Sequence, residues 1–116
     1  MNKKMNLPLN VTKNINFHVT SHFKNKSNFK LKVQQIVKLN RYPYFWTILV
    51  CYVESGSLNK GRHIKIQFEN GNHFFDYAEN IQVKKINVSS AKVGDLISIK
   101  ILTNYEELLR LNKLVF

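Results

Sequence analysis

The chain has 116 residues, 44% of them apolar, enough for one self-sufficient domain and too apolar to be disordered throughout. Its longest apolar run, around Trp46 to Val53, falls well short of the roughly 18 residues of a membrane-spanning helix, and no apolar stretch near the amino terminus resembles a secretory signal. Eighteen Lys and Arg against seven Asp and Glu give a net charge of +11. Residues 1–53 hold nine basic residues and no acid. A one-signed segment of this kind favours polyanions: RNA, DNA or an anionic membrane surface. A Lys- and Asn-rich coding bias explains lysine in place of arginine but not the missing acids.

Residues 1–27 contain six Asn and five Lys. They are expected to form a basic, flexible amino-terminal arm, with a short strand as an option over Asn16–Thr20. A cleaved organelle presequence is the weaker alternative, because such peptides are rich in Arg and this segment has none. From Phe29 onward the pattern is that of β-structure. Leu31, Val33, Gln35 and Val37 alternate with Lys32, Gln34, Ile36 and Lys38. A turn follows at Asn40-Arg41-Tyr42-Pro43, and Tyr44–Glu54 is apolar enough for a strand buried on both faces. Ser55–Gly61 is expected as a loop, His63–Phe68 as a strand, and Asn70-Gly71-Asn72 as a hairpin turn. Strands are then predicted at His73–Tyr77, Ile81–Val88, Asp95–Leu102 and Leu109–Phe116, with a loop over Ser89–Gly94. The segment with helical potential is Tyr105–Arg110. Short strands at regular spacing, separated by Gly and Asn turns, predict a sandwich or a barrel. Barrel closure removes the exposed edges of a small sheet.

Val53–Gly61 (VESGSLNKG), Ala91-Lys92-Val93-Gly94-Asp95 with the alternating Leu96–Ile101, and Leu111–Val115 stand in the same order as corresponding pieces of a known family. Together with Phe29–Ile36 as opening strand, residues 28–116 resemble the β-barrel that forms the second domain of elongation factor Tu-like translational GTPases. Three positions depart from that pattern: Arg62 stands where Asp is frequent, Asn112 where the closing Gly falls, and Cys51 at a small Gly. The resemblance implies an all-β fold, a small closed Greek-key barrel of translation-protein type. It also implies a surface that meets ribosomal RNA or the aminoacyl end of tRNA.

Catalytic signatures are missing. No G-x-x-x-x-G-K-[ST] loop exists for GTP. His18 and His22 are four apart, but Val-Thr-Ser between them disfavours a helix, and the Glu of H-E-x-x-H is lacking, so no metal site is expected. Cys51 sits in the apolar run and is expected to be a small buried residue in a reducing compartment. Neither a cofactor nor an enzymatic activity is expected. Three groups are candidates for RNA contact: Lys3, Lys4, Lys13, Lys24 and Lys26 of the arm; Arg41 and Tyr42 beside the aromatics Tyr44, Phe45 and Trp46; and Lys60, Arg62, His63 and Lys65, with Lys84 and Lys85 if these converge. A solvated tail, packed aromatics and ordinary solvent-facing lysines are the respective plainer alternatives.

The expectation is an RNA-binding protein of the translation apparatus. It is ribosomal or ribosome-associated, cytoplasmic or organellar, with ribosomal RNA or tRNA and ribosomal proteins as partners, and with neither membrane nor GTP. The alternative is a stand-alone protein-interaction barrel.

Overall fold

The computed structural model describes residues 10–22, 28–41 and 44–112. Nine strands and one short helix follow in order: β1 (Val11–Ser21), β2 (Phe29–Arg41), β3 (Tyr44–Asn59), β4 (His63–Gln67), β5 (His73–Tyr77), β6 (Asn80–Val83), β7 (Ile86–Val88), β8 (Ser90–Lys92), β9 (Leu96–Ile101) and α1 (Tyr105–Leu111). All strand pairs are antiparallel, in the order β5-β4-β1-β2-β3-β9-β6-β7, with β8 pairing β3 off this path. The path is open, with β5 and β7 at its ends, so its ladders do not close into a barrel.

The largest departure from the sequence reading lies in the supposed arm. Residues 11–21 form β1, an interior strand hydrogen-bonded to β2 on one side and β4 on the other. The optional strand at Asn16–Thr20 exists and extends in both directions. Phe17 and Val19 point into the core, and the Phe17 and Phe68 rings meet edge to face at 4.9 Å. The arm reading therefore fails for 11–21; residues 1–9 and 23–27 lie outside the described residues.

The long strands β2 and β3 serve both halves of the sheet. Register shifts between Lys30 and Leu31 and between Val33 and Gln35 break their ladder, and a further shift lies between Asn14 and Phe17 of β1. Bulges of this kind bend a strand and increase its twist, which lets one strand face two directions along its length. The core is mainly aliphatic: Leu31, Val33, Ile36, Leu49, Val53, Ile64, Ile66, Ile81, Ile97 and Ile99 are, with Cys51, almost wholly shielded from solvent. Burial pushes the Cys51 thiol far above its ordinary range, because a thiolate there would lose its hydration.

Three other segments differ from expectation. Ser55–Gly61 is not a simple loop, since β3 continues to Asn59 and pairs there with β8, which itself occupies part of the expected Ser89–Gly94 loop. The strand expected over Ile81–Val88 is a hairpin. Lys84 and Lys85 form its turn with φ of 52° and 67°, the left-handed pair that two-residue hairpins require and that Asn-Gly usually supplies. Leu109–Leu111, expected as strand, belongs to α1 instead. Asn104 caps that helix by accepting from Glu107 N at 2.8 Å, and Tyr105, Leu108 and Leu109 are buried against the core. Lys38 Nζ lies 2.6 Å from Glu106 and holds that carboxyl below the usual range. Asn112 has φ −88°, so it does not use the left-handed geometry that the closing position of the resembled family would need.

One buried carboxylate ties the two halves together. Asp76 of β5 accepts from Leu102 N and Thr103 N, both at 3.0 Å, from Thr103 Oγ1 at 2.5 Å and from Tyr77 N at 2.6 Å. It thereby fastens β5 to the segment leaving β9. Replacing Asp76 with alanine orphans these donors, each worth about 1–3 kcal/mol when buried without a partner. Urea unfolding of Asp76→Ala is expected to show a loss of about 3 kcal/mol; a loss below 1 kcal/mol would contradict this role.

Candidate nucleic-acid interface

Residues directly opposite across an antiparallel pair share a face. Following the registers outward from the core gives two rows that cross the sheet. One runs Phe75–Lys65–Thr20–Lys30–Ser55 through β5, β4, β1, β2 and β3. The next runs His73–Gln67–His18–Lys32–Tyr52 through the same strands. His63 and Tyr77 pair beyond the first row, and His22 N donates to His63 O at 3.4 Å. These residues point outward because their neighbours Val19, Leu31, Ile64 and Ile66 fill the core.

The face therefore gathers Lys30, Lys32 and Lys65 with all four histidines of the chain. Among the described residues, Glu54 lies 3.7 Å from His18 Nε2, and Asp76 borders a cavity with His22, His63 and Phe75 at the edge of the face. Aromatic rings are laid over the same surface. Phe75 is 51% exposed and stacks on His22, with centroids 4.1 Å apart and 14° between the ring planes. His73 meets Phe75 edge-on at 6.0 Å, and His63 meets Tyr77 at 5.3 Å. Tyr52 is 42% exposed at the far end of the second row. Cations beside accessible rings on an open sheet suit a charged backbone carrying flat bases.

The residues predicted for RNA contact are distributed unevenly. Lys3, Lys4, Lys24, Lys26 and Tyr42 lie outside the described residues. Arg41 is the last residue of β2. Lys13 stands half-buried opposite Ile36, beyond the β1 bulge from the outward rows. Lys60 is exposed and Arg62 half-buried at the turn into β4, where Arg62 O accepts from Ala78 N at 2.9 Å. His63 and Lys65 do join the face. Lys84 and Lys85 do not converge with them: both are exposed in the β6–β7 turn, and Lys85 borders a different groove. Lys30, Lys32, His18, His22, His73, Phe75 and Tyr52 escaped the sequence reading. The alternation around β2 already put Lys30 and Lys32 on one side, but their neighbours depend on cross-strand register.

That other groove, of about 450 Å³, is lined by Val37, Leu39, Trp46, Ile48 and Val50, with Lys85 and Lys100 at its polar side. Lys100 Nζ sits 3.8 Å from the Trp46 ring centroid and 3.4 Å from Glu79. The aromatic turn thus divides: Trp46 is half-buried under a lysine, whereas Phe45 is 59% exposed.

Among the described residues, no group of three or more His, Cys, Asp or Glu is placed to hold a metal ion, and no helix is long and apolar enough to cross a membrane. No family model, curated protein or solved structure matches the chain. Fold and surface together define an all-β protein with a basic, aromatic outer sheet face.

Proposed function

We propose that this chain is a non-catalytic RNA-binding protein of the translation apparatus, a small ribosomal or ribosome-associated protein. One observation carries the reading: Lys30, Lys32 and Lys65 share an outer sheet face with exposed Phe75 and Tyr52. The lysines neutralise phosphates, and the rings offer surfaces for unpaired bases. The resemblance at VESGSLNKG and Ala91–Asp95 points to ribosomal RNA or tRNA as the polyanion. The same resemblance makes the open strand path a variant of the closed Greek-key barrel of translation-protein type. In support, the run from His73 to Val83 pairs β4 at its start and β9 at its end, changing partner at Ala78–Glu79. Gly61 N donates to Ala78 O at 2.8 Å and Glu79 N to Lys100 O at 2.9 Å, so the turn between the two partners is itself hydrogen-bonded.

Binding held by phosphates releases counterions, so log K falls linearly with log salt, by about 0.7 per single-strand phosphate neutralised. Titration with ribosomal RNA fragments or tRNA is expected to give a slope of about −2 or steeper. Absence of salt-sensitive binding at low ionic strength overturns the reading. The groove around Trp46 then favours the second reading, a protein-interaction module with no RNA role, since β3 is apolar on both faces and only its inner face packs in the core.

A further inference from the structure

The first outward row borders a cavity of about 530 Å³ lined by Thr20, His22, Asn28, Lys30, Ser55, Lys65 and Phe75, among others. That volume lies within the range of sites for small ligands. Its components are of three kinds. The stacked His22 and Phe75 rings make a flat aromatic wall. Lys30 and Lys65 stand on either side of Thr20 in the same row and bring two ammonium groups. Hydroxyls of Thr20, Ser21 and Ser55 supply neutral polar contacts, Ser21 Oγ already donating to Asn28 Oδ1 at 3.1 Å. Phe29, only 3% exposed, is the apolar floor. A half-exposed Phe75 gains nothing from water, and its position beside two cations matches a flat, anionic ligand.

We infer that this cavity takes one unpaired nucleotide of a single-stranded RNA. The base extends the His22–Phe75 stack, and Lys30 and Lys65 hold the phosphates on its two sides. This rests on the RNA-binding reading and sharpens it, because a base inside a duplex has both faces covered by its neighbours and cannot stack on a side chain. The site therefore selects single-stranded segments, loops and bulges over continuous helix. Ser55 enters because the close approach of Gly56 to Asn28 draws the end of β3 against the start of β2.

The test uses the full chain with a single-stranded oligoribonucleotide carrying 2-aminopurine, and with the same strand annealed to its complement. Base stacking on an aromatic side chain is lost in Phe75→Ala, so single-strand affinity should drop about tenfold. The salt slope, the duplex affinity and the thermal unfolding midpoint should stay as in the unaltered protein. Quenching of 2-aminopurine should disappear in Phe75→Ala and persist in Phe75→Tyr, which keeps the ring. Unchanged single-strand affinity and quenching in Phe75→Ala, with a normal salt slope, would overturn the nucleotide site while leaving RNA binding intact. If neither strand form binds in a salt-sensitive way, the RNA-binding reading itself falls, and the site with it.

Discussion

Alanine at Gly56 is expected to cost about 3–5 kcal/mol, measured as the shift in denaturant unfolding. Two effects add. Gly56 has φ +70°, where a side chain costs about 1–2 kcal/mol. A Cβ built there would stand 1.9 Å from the Asn28 carbonyl oxygen and 2.8 Å from Phe29 Cα, both backbone atoms that cannot rotate away. Relief requires the Phe29–Gly56 pairing to separate, which opens β2 from β3 beside buried Phe29, Leu31 and Val53. Native domains hold only about 5–15 kcal/mol in total, so this single methyl threatens the fold. Gly71→Ala is the control. It shares a positive φ of 92°, but its Cβ would meet nothing within 4 Å, so only the conformational cost remains. A Gly56→Ala protein as stable as Gly71→Ala would refute the steric argument.

Replacing Lys30, Lys32 and Lys65 together with glutamine is expected to lower RNA affinity about a hundredfold at 0.1 M salt. Three phosphate contacts at about 0.7 each remove about 2 from the log–log slope, and the loss accumulates over the decade between 1 M and 0.1 M. All three side chains leave the outer face, so the fold should survive and circular dichroism should be unchanged. The matched triple at Lys84, Lys85 and Lys92, also exposed and also removing three charges, should cost far less if the face rather than net charge binds RNA. Equal losses from the two triples would reduce the interaction to nonspecific attraction by a basic protein.

Much of the strand pattern was legible in the residues. The alternation from Phe29 appears as expected up to Val33, beyond which the β2 bulge turns Ile36 rather than Gln35 and Val37 into the core. The turn at Asn70-Gly71-Asn72 appears as expected, with Asn70 Oδ1 accepting from Asn72 N at 2.9 Å. What stayed hidden has physical causes. Asn14, Asn16 and Lys13 have low strand propensity, so β1 read as polar arm although Phe17 and Val19 fill the core. The β6–β7 turn carries two lysines in left-handed geometry and no Gly or Asn, leaving no mark of a hairpin. The candidate interface was harder still. His18, His22, His63 and His73 are scattered along the chain and meet only because β4 lies between β1 and β5. Charge pointed towards a polyanion, but only the register shows which lysines stand beside which rings.

The interior position of β1 also dictates the order in which the molecule can be assembled. β1 is bordered by β2 and β4, and its contacts with β4, such as His18 with Gln67, must wait for nearly fifty further residues. Until β4 arrives, one row of β1 amide and carbonyl groups stays open to any passing strand. Sheets closed by such distant pairings fold on the slower side, in milliseconds to seconds. The same geometry makes β1 a poor place to trim. Deleting β1 would not shorten the protein from its edge; it would split the sheet down the middle and leave β2 and β4 each with an unpaired flank.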